Sequence, residues 1–317
     1  MKKLLLLFLL AFLAVPIASA EESVVTLTTT LDEGASIKLY TWADSMDDAF
    51  TIDWGDGVEK IYNKVKPSWT YGSEITGKLG ASKTITIKGD ITYLEIKEMQ
   101  ISAATFANTK LKEVDMEKNQ LTDFNLSGLP EVTKLSLNEN SIVTFSSTGN
   151  SVLKNLGLKS NKIDSHQFEI SSLANSLEQL NVSENGENFV ALNLINFDKL
   201  QYFTANDNPE LTTVVFYDGS TNLKQISMNN CHIMHFYAIS LPKLSSLNLS
   251  NNALLDFENG TYPNLSTLSV NGNYLSEIDV TKFPKLFSFD CSSNQLTDIN
   301  VANNPELNYL NCGNNKL

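Results

Sequence analysis

The chain has 317 residues, 42% of them apolar, and carries 36 acidic against 23 basic side chains for a formal charge of −13. Every basic residue is a lysine, so bidentate arginine clamps on phosphate or carboxylate are excluded. The acidic balance opposes nucleic-acid binding, which needs cations to release phosphate counterions, and the apolar fraction is that of a globular chain rather than a disordered one.

At the start of the chain, Lys2 and Lys3 precede an unbroken apolar run from Leu4 to Val15, and Ala18-Ser19-Ala20 follows. This pattern predicts a secretory signal over residues 1–20, cleaved before Glu21. The run is shorter than the roughly 20 residues a membrane helix needs. Its removal leaves 36 acids against 21 lysines, a charge of −15. No second apolar run follows, so the mature chain is expected to lack a transmembrane segment. It is expected to be secreted, or exposed at a bacterial cell surface.

Residues 21–90 alternate apolar and polar side chains, which predicts strands over 24–31, 36–40, 49–54 and 84–87. The third runs into Gly55-Asp56-Gly57, a tight-turn signal. A small β-sandwich-like cap is expected. Ile52-Asp-Trp-Gly-Asp-Gly57 resembles the W-G-D-G turn of polycystic-kidney-disease-type β-sandwich modules. Asp53 and Asp56 have the chemistry to ligate calcium, but a hairpin turn in which they accept from nearby backbone is the preferred reading.

From residue 91 one repeat dominates. Leu244-Ser-Ser-Leu-Asn-Leu-Ser-Asn-Asn-Ala-Leu254 fits L-x-x-L-x-L-x-x-N-x-L without error. The same frame starts at Ile91, Leu111, Val132, Leu153, Leu177, Leu200, Leu223, Leu244, Leu265, Leu286 and Leu307, mostly 20 or 21 residues apart but 24, 23 and 23 apart between Leu153 and Leu223. The chain resembles the leucine-rich-repeat family over 91–317, with about 11 repeats and spacing similar to internalin-like bacterial surface proteins. That resemblance implies a mainly β solenoid with a concave parallel sheet that commonly binds proteins.

Each repeat can also be read on its own. The L-x-L pair shares one face of a strand and points inward, leaving the third, fifth and seventh positions outside. Position nine is asparagine at 119, 140, 161, 185, 208, 252, 273, 294 and 315. An amide side chain both donates and accepts, so a stacked column can satisfy the backbone groups of a buried turn. This accounts structurally for much of the excess of 35 asparagines. Phe124, Phe145, Phe168, Phe236 and Phe257, continued by Ile278 and Ile299, are predicted to form an apolar spine. Prolines 130, 242, 263, 284 and 305 each lie two residues before the next frame and stop the chain from running on as strand. Short extended or turn-like arms are therefore expected on the convex side.

Signs of chemistry are few. Cys291 and Cys312 occupy the inward sixth position of adjacent repeats, about 5 Å apart if the strands are neighbours. A disulfide is open to them, but packing as small hydrophobes is preferred. Cys231 replaces asparagine in the ninth column. Cys231-His232-Ile-Met-His235 is the only soft-ligand stretch, and it lacks the three or four convergent ligands of a zinc site. No cofactor or metal is expected. A right-handed β-helix enzyme acting on polysaccharide is the catalytic alternative, weakened by the missing arginine.

The preferred reading is a non-catalytic binding protein that takes a protein ligand, less readily a glycan, on its concave face. The third alternative is a spacer or adhesin without a discrete ligand. Candidate binding residues are Tyr93, Glu95, Glu113, Asp115, Glu117, Tyr202, Asn206, Gln225, Asn248, Asn271, Asp290 and Tyr309. Charge on this face is expected to be mainly acidic and to gather in the first two repeats. The final frame stops at Leu317 without a closing segment, so three alternatives are open: the last coil frays, it docks on another molecule (a second copy included), or the sequence is cut short of the natural protein.

Overall fold

The computed structural model describes residues 22–45, 49–63, 74–216, 221–238, 240–257 and 260–317. The expected signal segment lies outside them. The first strands are β1 (Val24–Thr29), β2 (Ser36–Trp42), β3 (Phe50–Asp53), β4 (Glu59–Tyr62), β5 (Glu74–Lys78), β6 (Thr84–Lys88), β7 (Tyr93–Glu95) and β8 (Ile101–Ala107). From β7 onward each coil contributes one three-residue strand to a long sheet of 13 strands. Eleven of these are parallel and belong to the repeats. Their pairing puts Tyr93, Glu113, Lys134, Asn155, Gln179, Tyr202, Gln225, Ser246, Thr267, Ser288 and Tyr309 in one row.

That register follows from burial. The first, fourth and sixth residues of each frame are apolar, and from Ile91 to Cys291 nearly all are fully buried. A one-residue slip would turn the fourth and sixth onto the solvent face. The opposite side is shorter and broken: three parallel strands (Asp123–Asn125, Thr144–Ser146, Phe168–Glu169), then two more (Ala191–Asn193, Thr213–Val215), then an isolated Ser240–Thr261 bridge. One continuous sheet facing interrupted short ladders is a leucine-rich-repeat solenoid, not the three-sheet prism of a β-helix. Between the two sides runs the aromatic spine. Phe145, Phe168 and Phe189 lie 5.8 and 6.1 Å apart between ring centres, and Phe216, Phe236 and Phe257 lie 6.1 and 6.2 Å apart.

Both sheets run through the expected domain boundary at 90/91. β2 pairs antiparallel with β7, and β5 with β2, so the long sheet continues into the N-terminal region. β8, the outer arm of the first repeat, pairs antiparallel with β1 in a second sheet ordered β4-β3-β6-β1-β8. The strands β4 and β5 were not legible as alternating segments. The Trp54 turn matches the hairpin reading: Asp53 Oδ1 accepts from the N–H groups of Gly55 and Gly57 at 2.8 and 3.1 Å, and Asp56 Oδ1 accepts from Val58 N–H at 3.0 Å.

A backbone column is hidden in the sequence. At the eighth position of every frame, Glu98, Lys118, Glu139, Ser160, Glu184, Asp207, Asn230, Asn251, Gly272, Ser293 and Asn314 take φ between 53° and 66°. This left-handed residue reverses the chain out of the strand, at a cost of roughly 1–2 kcal/mol for a side chain such as Glu or Lys. In nine of the eleven frames its neighbour is the ninth-position asparagine, which holds the turn; Met99 and Cys231 stand there in the other two.

Candidate functional site on the long sheet

The asparagine column supports everything above it. Asn119 Oδ1 accepts from Met99 and Ile101 N–H at 3.1 and 3.0 Å, while its Nδ2 donates to Ile96 and Met116 carbonyls at 2.8 and 3.0 Å. At Asn252, Asn273 and Asn294 the column repeats with one accepted N–H 19 residues back and donation to carbonyls 24 and 3 residues back. Asn150 and Asn304, three residues before a frame, bond carbonyls of the preceding coil in the same way. The sequence reading missed that second amide position because a hydrophobe fills it in most repeats.

At the proximal end, two expectations change. Tyr93 does not project from the face: it is 8% exposed, stacked on Trp42 at 3.8 Å between ring centres, with its hydroxyl donating to Glu95. The cause is β2, which covers the first coil as a further strand. Nor are the acids of the first two repeats free. Lys97 Nζ lies 2.6 Å from Asp115 and 3.4 Å from Glu117, and Lys134 lies 3.7 Å from Glu113. The expected acidic patch is a lattice of ion pairs. Burial pushes the Asp115 carboxyl above its ordinary range despite Lys97. Burial would raise Glu117 as well, but donation from Ser136 Oγ (2.5 Å) and Asn138 Nδ2 (2.7 Å), with Lys97 nearby, holds it below.

Several distal candidates spend their acceptors inside the ladder. Asn206 Oδ1 accepts from Ser227 Oγ and Asn229 N–H, and Asn248 Oδ1 from Ser250 N–H and Oγ. Asn271 Oδ1 accepts from Ser250 Oγ, and Asp290 Oδ1 from Ser292 N–H and Oγ. Gln225 is exposed, as are Tyr309 (50%) and Tyr202 (38%), the last with Lys224 Nζ 5.8 Å from its ring centre.

Sequence reading also overlooked Gly157. It occupies the outward fifth position, where neighbouring coils carry Ser136 and Asn181. A depression of about 330 Å3 lies beside it, lined by Lys134, Asn155, Gln179, Asn181 and Tyr202, while the Asn138 side chain covers the glycine itself, 2.9 Å from where a Cβ would sit. Of the named candidates, only Tyr202 borders it. A glycine amid polar residues at the fifth position was the available signal.

The cysteines are free thiols. Cys291 is buried in the core; Cys312 is half-buried in the last coil. His235 Nδ1 meets Asp256 at 3.0 Å and its ring stacks on Tyr237, while His232 takes no part in that pair. Among the described residues no group of three His, Cys, Asp or Glu side chains is placed to hold a metal, and no helix is long and apolar enough to cross a membrane.

This arrangement is a leucine-rich-repeat solenoid carrying an open polar face. Among solved structures, the chain is similar to the functional domain of InlJ from Listeria monocytogenes, described as including a cysteine ladder, with a TM-score of 0.62 and 22% identity over 74% of this chain. The match spans 52% of that structure, about half its length. A leucine-rich-repeat protein of Leptospira interrogans aligns at 20% identity and a TM-score of 0.47, covering 66% of this chain and 62% of that one. The internalin inlF of Listeria monocytogenes aligns at 22% and 0.45, covering 71% and 74%. No family model and no curated protein matches the chain.

Proposed function

We propose that the chain is a non-catalytic binding scaffold that takes a protein ligand on the outer face of its long sheet, centred on the depression at Gly157. The observation that carries this reading is the coincidence of that depression with Tyr202, among the described residues the one exposed aromatic of the central coils on this face. Aromatic side chains beside a recess dominate protein hot spots. Elsewhere the polar side chains of this face largely bond one another, which leaves few groups free for a partner. The amides of Asn155, Gln179 and Asn181 beside Tyr202 favour a glycan as the second reading.

Export through residues 1–20 and display outside the cell belong to the same proposal, as does a capping role for residues 21–90. Support for the cap is the pairing of β2 with β7, which covers the apolar edge of the first coil. The test is a protein array and a glycan array probed with the full chain, repeated with Tyr202→Ala and Gly157→Thr. Hits on proteins that weaken with both variants support the reading. Protein hits that survive both changes overturn this site, and hits confined to glycans overturn the protein ligand.

A further inference from the structure

The outer side of the solenoid has an interruption that the proposed ligand face does not use. Its short strands are joined by one recurring bond. Leu126 N–H donates to Ser146 O at 3.0 Å, Ser147 N–H to Glu169 O at 2.9 Å, and Leu194 N–H to Val215 O at 3.0 Å. The missing member of this series is Ile170 N–H to Asn193 O. Among the described residues neither group has a hydrogen-bond partner, and the Phe168–Glu169 and Ala191–Asn193 strands lie in separate sheets.

The break has a cause in the sequence. The frames starting at Leu153, Leu177 and Leu200 are 24, 23 and 23 residues long, against 20 or 21 elsewhere. In the first of them the chain forms two 3-10 turns, Ser165–Gln167 and Ser171–Leu173, on either side of the Phe168–Glu169 strand. At one end the coils still meet: Ser165 N–H donates to Asn188 O at 3.1 Å, and Ser165 Oγ accepts from Val190 and Ala191 N–H at 2.9 and 3.1 Å. Beyond that closed end a groove of about 500 Å3 opens between the strands. Phe168, Ile170, Leu192 and Phe197 line it, and Val190 (36% exposed) and Ile195 (38% exposed) stand at its rim.

We propose that this groove docks an extended peptide segment bearing apolar side chains, which restores the ladder by accepting from Ile170 N–H and donating to Asn193 O. An extended backbone supplies an acceptor and a donor along one edge, and its alternate side chains fall on one face. A purely apolar ligand would leave the Ile170 amide, on a buried residue, without a partner, which is costly. The exposed Val190 and Ile195 side chains supply apolar contact that the chain itself does not cover.

The test is selection of a randomised peptide library against the full chain, with the affinity of a selected peptide then measured by fluorescence anisotropy. Val190→Asp and Ile195→Asp change exposed positions and should each weaken binding at least tenfold. Tyr202→Ala, on the opposite face, should leave it unchanged, and bound peptide should slow hydrogen exchange at the Ile170 amide. Failure to select any peptide, or selected peptides whose affinity survives both aspartate changes, would overturn the proposal. So would binding lost with Tyr202→Ala alone, which assigns the peptide to the long sheet.

Discussion

The Cys231 thiol donates to the Ala205 carbonyl at 3.1 Å, the place that an asparagine Nδ2 fills in the other coils of the column. The acceptor half of the amide is not needed there. In the preceding coil Leu211 N–H already donates to Asn208 O at 3.0 Å, whereas Leu254 N–H depends on Asn273 Oδ1. A donor-only side chain therefore suffices at 231. Cys231→Ser, which keeps the donor, should change stability little. Asn273→Ala strands Leu254 N–H in the core, at about 1–3 kcal/mol for the unsatisfied donor, while Leu249 O keeps its bond from Asn252 Nδ2. Urea midpoints of the two variants should separate widely, and equal midpoints would refute the ladder argument.

Thiol reactivity should follow burial. Burial pushes the Cys231 thiol up to about 11 and the Cys291 thiol up to about 12. The thiolate is the reactive form, so both should resist iodoacetamide at pH 8 in the folded chain. Cys312, half-buried in the last coil, should react first. Mass spectrometry of native labelling should find one fast site, and labelling in denaturant without reductant should find three. Only one labelled thiol in denaturant would reveal a Cys291–Cys312 bridge.

How far the sequence could be read depended on whether position or side chain carried the information. Eleven frames predicted the register of the long sheet because the inward pairs, such as Leu247 and Leu249, can be buried only one way. The left-handed eighth position escaped notice because Lys118 and Glu139 are not turn formers; the asparagines beside them, Asn119 and Asn140, hold the turn. The burial of Tyr93 was not legible because it comes from Trp42, a cross-strand neighbour 51 residues earlier in the chain. The ion pairing within the acidic patch was hidden for the same kind of reason: only the pairing of strands brings Lys97 to Asp115 and Glu117. The recess beside Gly157 depends on side chains of several coils, from Lys134 to Tyr202, which no single frame brings together.

Asp115 and Glu117 should give opposite pH dependences. Glu117 is held below its ordinary value, so its stabilisation is full above the unfolded value of about 4.3 and is lost as pH falls through the folded one. Asp115 is raised, so the folded state prefers its protonated form. Its effect is to increase stability as pH falls from the folded value toward the unfolded value of about 3.9. Glu117→Gln should remove the loss at low pH, and Asp115→Asn the gain above it, in denaturation midpoints taken from pH 3 to 7. Carboxyl titration by NMR should find Glu117 below and Asp115 above the ordinary values of about 4.3 and 3.9 for their types; a shift of either in the other direction would contradict the geometry.

The N-terminal sheets turn on one close approach. Trp54 is fully buried, and Gly77 on β5 packs against its indole so closely that an added Cβ would sit 2.1 and 2.2 Å from two ring carbons. The ring cannot swing aside, because Gly80 N–H donates to Trp54 O at 2.9 Å and Trp54 Nε1 donates to the Tyr62 hydroxyl at 3.3 Å. Gly34 is a useful contrast: its φ is +82°, yet an added Cβ would meet nothing within 4 Å. Gly34→Ala should cost only the left-handed strain, about 1–2 kcal/mol. Gly77→Ala adds overpacking in a filled core, typically about 1–3 kcal/mol and more where the backbone cannot shift. Because β5 extends the long sheet through β2, this variant should also loosen the first coils, seen as faster hydrogen exchange at Leu94 and Val114 than in Gly34→Ala. Equal exchange in the two variants would mean that the N-terminal strands and the solenoid unfold independently.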